Sequence, residues 1–141
     1  MVQLGAIALH IPQPSVISCL KKILTLTNQM LTQPNPQLQQ RLELSMPEIA
    51  TFCQRWHITE LSLFGSVLCD QFHAGSDIDI LIRFAPNTRQ GLLTLAKIKH
   101  DLETSTGRIV DIVLKESIET SENWIRRNEI LETAQVIYEQ R

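Results

Sequence analysis

The chain has 141 residues, 43% of them hydrophobic and 20% charged, enough for one domain to bury a core without covalent staples. Lys and Arg number 13 against 15 Asp and Glu, a formal net charge of -2. The basic excess by which proteins hold long nucleic acid is missing, so polynucleotide polymerases and repressors are disfavoured.

Residues 1–9 are mildly apolar but carry no Lys or Arg ahead of the apolar stretch and no small-residue cleavage site, so no secretory signal is expected. Residues 1–14 read as a loose lead-in ending in Ile11-Pro12-Gln13-Pro14, where two prolines forbid a helix. Val16, Leu20, Ile23, Leu24 and Leu31 share one face and predict an amphipathic helix over 15–32. Pro34-Asn35-Pro36 stops it, and Gln37 to Gln40 reads as a connector or a short exposed helical turn. Ser45-Met46-Pro47-Glu48 combines a capping Ser, an early Pro and a Glu three residues after the cap. Ile49, Phe52, Cys53 and Trp56 then give the stripe of a core-facing helix. Leu61 to Phe64 is a short strand broken at Gly65, followed by a helical turn from Ser66 to Gln71 and a turn at Ala74-Gly75.

Ile78, Ile80 and Ile82 alternate with Asp77, Asp79, Leu81 and Arg83, a strand with one apolar face and one face that starts with two carboxylates. Leu92, Leu95, Ile98 and Leu102 predict an amphipathic helix closed by Gly107. Residues 108–114 form a β-branched strand with a lone Asp111. A helix from about Ser121 to Thr133 and a strand at Gln135–Tyr138 complete the chain. Strands alternating with helices imply an α/β fold. No apolar run approaches a membrane span. Cys19, Cys53 and Cys69 are scattered, odd in number and without a CxxC, which argues against a disulfide framework or zinc site and for a reducing cytosol.

The chemistry concentrates in Gly65-Ser66, ten residues, then Asp77-Ile78-Asp79. Gly65 lacks a Cβ where a strand gives way to a helix start, so backbone N–H groups there can approach a phosphate. Ser66 adds a hydroxyl donor where the helix dipole favours an anion. Asp77 and Asp79, two apart on a strand, leave the same face, and paired hard carboxylates suit Mg²⁺ with places left for substrate phosphates. Asp111 points away from the core in its own strand. If that strand lies beside 78–84, the three carboxylates meet, and such a trio can hold two metal ions at a phosphoryl centre.

Residues 61–84, with Gly91 to Leu95, the strand bearing Asp111 and the tail from Ile130 to Tyr138, resemble the minimal nucleotidyltransferases (MNT) of the DNA polymerase β superfamily. The resemblance covers about 45–140, dividing the chain into an N-terminal extension, 1–44, and a minimal nucleotidyltransferase domain, 45–141. It implies a small mixed β-sheet flanked by helices, placed on one side, that uses Mg²⁺ and a nucleoside triphosphate. Gly65 and Ser66 would hold the triphosphate, Asp77 and Asp79 would bind Mg²⁺ and the β- and γ-phosphates, and Asp111 would bind metal on the nucleophile side and help deprotonate the hydroxyl. Small stand-alone members are commonly antitoxins of HEPN-domain ribonuclease toxins, and the implied activity is transfer of AMP from ATP onto a toxin tyrosine, releasing pyrophosphate. Two other readings stay open: an antitoxin acting by occlusion with a vestigial nucleotide site, and a small-molecule nucleotidyltransferase.

One departure from the family pattern stands out. Many relatives carry a basic residue soon after the Gly-Ser, where this chain has Val67-Leu68-Cys69-Asp70, which leaves Arg83, Arg89 or Lys97 as stand-ins. Cys53 and Trp56 read as packing, Cys69 as an apolar filler, His73 as a solvated loop residue and Tyr138 as packed in the last strand. Trp124, beside Arg126 and Arg127, either packs locally or anchors a partner.

Overall fold

Asn35 accepts the N–H of Gln37 on its side chain, and Pro36 occupies the first turn, so a helix starts there: α1, Pro36–Leu42. The computed structural model describes residues 35–88 and 90–140, all within the unit Pro34–Arg141, and the helix expected over 15–32 lies outside the described residues. Leu38 and Leu42 of α1 are buried. The Gln-rich stretch is therefore a packed helix, not a connector or an exposed turn.

Helix α2, Met46–Arg55, opens with the capping box expected from sequence. The Ser45 hydroxyl accepts the Glu48 N–H, and Glu48 Oε2 accepts the Ser45 N–H at 2.8 Å. The Ser45 hydroxyl also donates to Glu48 Oε2 at 2.6 Å, and this bond first, then that of the Ser45 N–H, holds the Glu48 carboxyl below its ordinary range. Ile49, Phe52 and Cys53 are buried, and burial pushes the Cys53 thiol up to about 12. Trp56, at the helix end, is half-buried, and its indole N–H donates to Asp101 Oδ2 at 3.0 Å.

Among the described residues the strands form one mixed sheet: β1 (Ile58–Phe64), β2 (Ile78–Phe84), β3 (Val110–Leu114) and β4 (Gln135–Glu139), in the order β3-β2-β1-β4. β1 runs antiparallel to β2 and β4, whereas β2 and β3 are parallel. A parallel pair needs a long crossover, supplied by α3 (Leu92–Thr106), which ends at Gly107 in the left-handed region, φ 67°. Ile78, Ile80 and Ile82 face the core with Leu61, Leu63 and Val110, all nearly solvent-free. Against the sheet lie α2, beside β1 and β4, and α3, beside β3.

Several elements differ from expectation. The turn after β1 is a short 3-10 helix, Gly65–Leu68, instead of a turn reaching Gln71. Ile98 and Leu102 of α3 are buried, but Leu92 is 86% exposed, so the stripe begins later than its periodicity implies. An unforeseen short helix, α4 (Lys115–Glu119), precedes α5 (Trp124–Thr133). These two bring Ile118 and Ile130 against Phe64 and Leu81, so helices cover part of the second sheet face as well, not one side alone. Trp124 is 61% exposed. Cys53 is a free, buried thiol, in keeping with its place on the core stripe of α2. No described helix is long and apolar enough to cross a membrane.

Two substitutions separate the contributions. Ser45→Ala is expected to lower stability by about 1 kcal/mol through loss of the cap. Ile80→Ala, which empties a fully buried site, is expected to cost about 2–5 kcal/mol, both read by urea denaturation.

Candidate active site

The C-terminal end of β1 and the N-terminal ends of β2 and β3 lie at one edge of the sheet. Strand register sets Phe64 beside Asp79 and Asp79 beside Asp111, forming one row across three strands. Side chains alternate along a strand, so Asp79 and Asp111 project from the face opposite Ile78, Ile80 and Val110. The parallel pairing on which the acidic cluster depends is therefore present.

Gly65 follows Phe64 with φ +73°, a region L-residues rarely adopt. A Cβ there would lie 2.4 Å from Asp79 Oδ2. The glycine is required twice, for its backbone conformation and because the Asp79 carboxylate fills the space a side chain would take. Asp77, exposed, sits one residue ahead of β2, and its carbonyl accepts the Ser66 hydroxyl at 3.3 Å. That bond ties the Gly-Ser turn to the first carboxylate-bearing residue.

Asp79 is half-buried, and its pKa is raised, first by burial and then by the charges of Asp111 and Asp77. Like charges and a dry setting thus act together on one carboxylate. Among the described residues no three acidic, His or Cys side chains are near enough to form a ready-made metal cage. The carboxylates are neighbours rather than a closed shell. Their chemistry nonetheless fits a hard divalent cation, because oxygen donors that repel one another are relieved by positive charge placed between them.

The stand-in cations turn out differently from the sequence reading. Arg83 is committed elsewhere: its guanidinium pairs with Glu119 at 2.5 Å, Glu60 at 3.8 Å and Glu116 at 3.9 Å. Lys115 joins Glu60 in the same network. Lys97 lines a cleft with Arg55 and Trp56 between α2 and α3. Arg89 lies outside the described residues. Among the described residues, Arg41 and Arg108 meet the loop between Ser66 and Asp77, and sequence reasoning missed both. Arg41 lies 5.7 Å and Arg108 4.6 Å from the centre of the Phe72 ring. The one local signal was the position of Arg108, three residues ahead of Asp111. His73 is exposed as expected, its Nδ1 accepting the Gly75 N–H at 3.1 Å.

The electrostatics carry a sign that can be checked. Asp79 has a folded-state pKa above its unfolded value, so ionising it favours the unfolded chain as pH rises past the ordinary Asp range. In chelator-containing buffer Asp79→Asn is expected to be more stable than the wild type at neutral pH, with the difference vanishing on acidification below that range. Thermal melts across pH read this directly. Gly65→Ala is expected to lose at least about 1 kcal/mol from the left-handed backbone alone, measured by denaturant titration.

A family model, the nucleotidyltransferase domain, matches residues 48–137. Among solved structures, the chain resembles a toxin–antitoxin determined with AMP-PNP, with TM-score 0.54, 16% identity, and coverage of 70% of this chain and 76% of that one. It also resembles a mutant of a toxin–antitoxin named MntA-HpeT, with TM-score 0.51, 15% identity, and coverage of 70% and 75%. A third similar structure bears the name of a minimal nucleotidyltransferase, with TM-score 0.50, 28% identity, and coverage of 64% and 86%. No curated protein matches. The matched span contains both the Gly65 turn and all three carboxylates, and the chain belongs to the nucleotidyltransferase domain family, with a fold consistent with its minimal members.

Proposed function

We propose that this chain is an Mg²⁺-dependent nucleotidyltransferase antitoxin that transfers AMP from ATP onto a tyrosine hydroxyl of a partner HEPN-domain ribonuclease toxin. The observation that carries the reading is the row Asp79–Asp111 closed on one side by the side-chain-free Gly65. Likeness to a toxin–antitoxin determined with AMP-PNP supports a nucleotide and a toxin partner.

In this reading Gly65 and Ser66 receive the triphosphate, and Asp77 and Asp79 hold Mg²⁺ and face the β- and γ-phosphates. Asp111 lies on the nucleophile side and takes the proton of the incoming hydroxyl. That oxygen bonds to the α-phosphorus, the bond to the bridging oxygen breaks, and pyrophosphate leaves. Mg²⁺, when bound, supplies the positive charge that offsets the crowded phosphates and carboxylates. The chain itself contributes placement, which is most of what such a transfer needs. In this reading the acceptor is a second protein, the partner toxin.

Incubation of the neighbouring-gene protein with this chain, ATP and Mg²⁺, followed by intact-mass spectrometry, is expected to give additions of about 329 Da per AMP. Asp77→Asn with Asp79→Asn is expected to abolish them. A tight complex without a mass change would instead support neutralisation by occlusion. No complex and no change would point to a small-molecule acceptor.

A further inference from the structure

The loop from 69 to 77 joins the Gly-Ser turn to the acidic strand and has no regular secondary structure. Part of its hydrogen bonding folds the tip on itself: His73 N–H donates to Ser76 Oγ, and Ser76 N–H to the His73 carbonyl. Among the described residues, a ring contact also joins it to the body. Phe72 lies against two guanidinium groups that arrive from opposite ends of the sequence, Arg41 on α1 and Arg108 just ahead of β3. Each arginine also donates to a nearby carbonyl: Arg41 Nη1 to Val67 O in the Gly-Ser turn, and Arg108 Nη1 to His73 O at 2.9 Å. One residue on, the Ile109 carbonyl accepts at 2.9 Å the N–H of Ile78, which lies between Asp77 and Asp79.

We propose that Arg108, acting with Arg41 through the Phe72 ring, is a positioning residue that fixes the 69–77 loop so that Ser66 and Asp77 face one nucleotide. The inference rests on the nucleotidyl-transfer reading above and deepens it. Arg108 is placed to hold rather than to bind phosphate: its side chain is only 14% exposed, and Glu43 pairs with it at 3.7 Å. With Val67, Leu68 and Cys69 following the Gly-Ser, the turn carries no cation of its own in that stretch. The chain brings in two arginines from elsewhere and uses their planes, which stack on an aromatic face as an ammonium cannot.

The test uses the full chain and two readouts: amide hydrogen exchange by segment, and affinity for AMP-PNP with Mg²⁺. Arg108→Ala and the milder Phe72→Leu are each expected to speed exchange across 69–77 while leaving β1 and α2 unchanged. Each is also expected to weaken AMP-PNP binding by about tenfold, within the range of a desolvated cation–aromatic contact. The double variant is expected to lose less than the product of the two single losses, because both remove the Arg108–Phe72 contact. Arg108→Lys is expected to recover only part of the loss. Weakened affinity with unchanged loop exchange would make Arg108 a direct ligand and overturn the proposal. Faster exchange with unchanged affinity would overturn it equally, since the clamp would then not bear on the site. Wild-type chain that fails to bind AMP-PNP would remove the transfer reading itself, a result distinct from either.

Discussion

The structure depends on the close approach of Asp79 to Gly65. A half-buried carboxylate occupies the volume in which any other residue would carry its Cβ. This contact fixes where β1 must stop, because the chain turns left-handed at that point. It also fixes which end of β2 must carry polar groups, because the carboxylate cannot rotate into the aliphatic layer below. A rigid, dry sheet is what makes such a contact tolerable: Ile78 and Ile80, on either side of Asp79, are essentially solvent-free and hold its backbone in place.

The second face of the sheet is electrically divided along its length. At one end lie Asp79 and Asp111; at the other, Glu60, Arg83, Lys115 and Glu119 form an ion-pair network. Between them sits the apolar patch of Phe64, Leu81, Ile118 and Ile130. Charges that can neutralise one another are thus kept at the far end. The acidic end keeps its repulsion, and burial of Asp79 prevents water from fully screening it. A cluster left with unmet electrostatic demand is suited to receive a ligand, whereas the satisfied network serves to hold α4 on the sheet.

Much of this was legible in the sequence where short-range rules apply. The capping box at Ser45, the alternation of Ile78, Ile80 and Ile82, the left-handed Gly107 and the core position of Cys53 are all encoded within a few residues. The Gly65–Asp79 constellation was legible because its residue types have few other reasons to occur together. What escaped is of two kinds. Helix α1 was hidden because glutamines outnumber its two buried leucines, and α4 because five residues are too few to show a period. The arginines were misjudged because pairing is decided by folding, not by proximity in sequence: Arg83 lies near the aspartates in the chain yet is consumed by glutamates of α4. Arg41 and Arg108, distant in sequence from Phe72 and from each other, flank its ring in the fold.

The sheet order has a consequence for how the site comes into being. Gly65 meets Asp79 through an antiparallel pairing, but Asp79 meets Asp111 only through the parallel pairing closed by the α3 crossover. Parallel pairings of this kind pay their loop-closure entropy before any contact repays it, and they form late. The acidic row is therefore completed only by the second of two pairings. A nascent or partly unfolded chain that has made the β1–β2 hairpin still lacks its third carboxylate, so the row is complete only when the α3 crossover has closed.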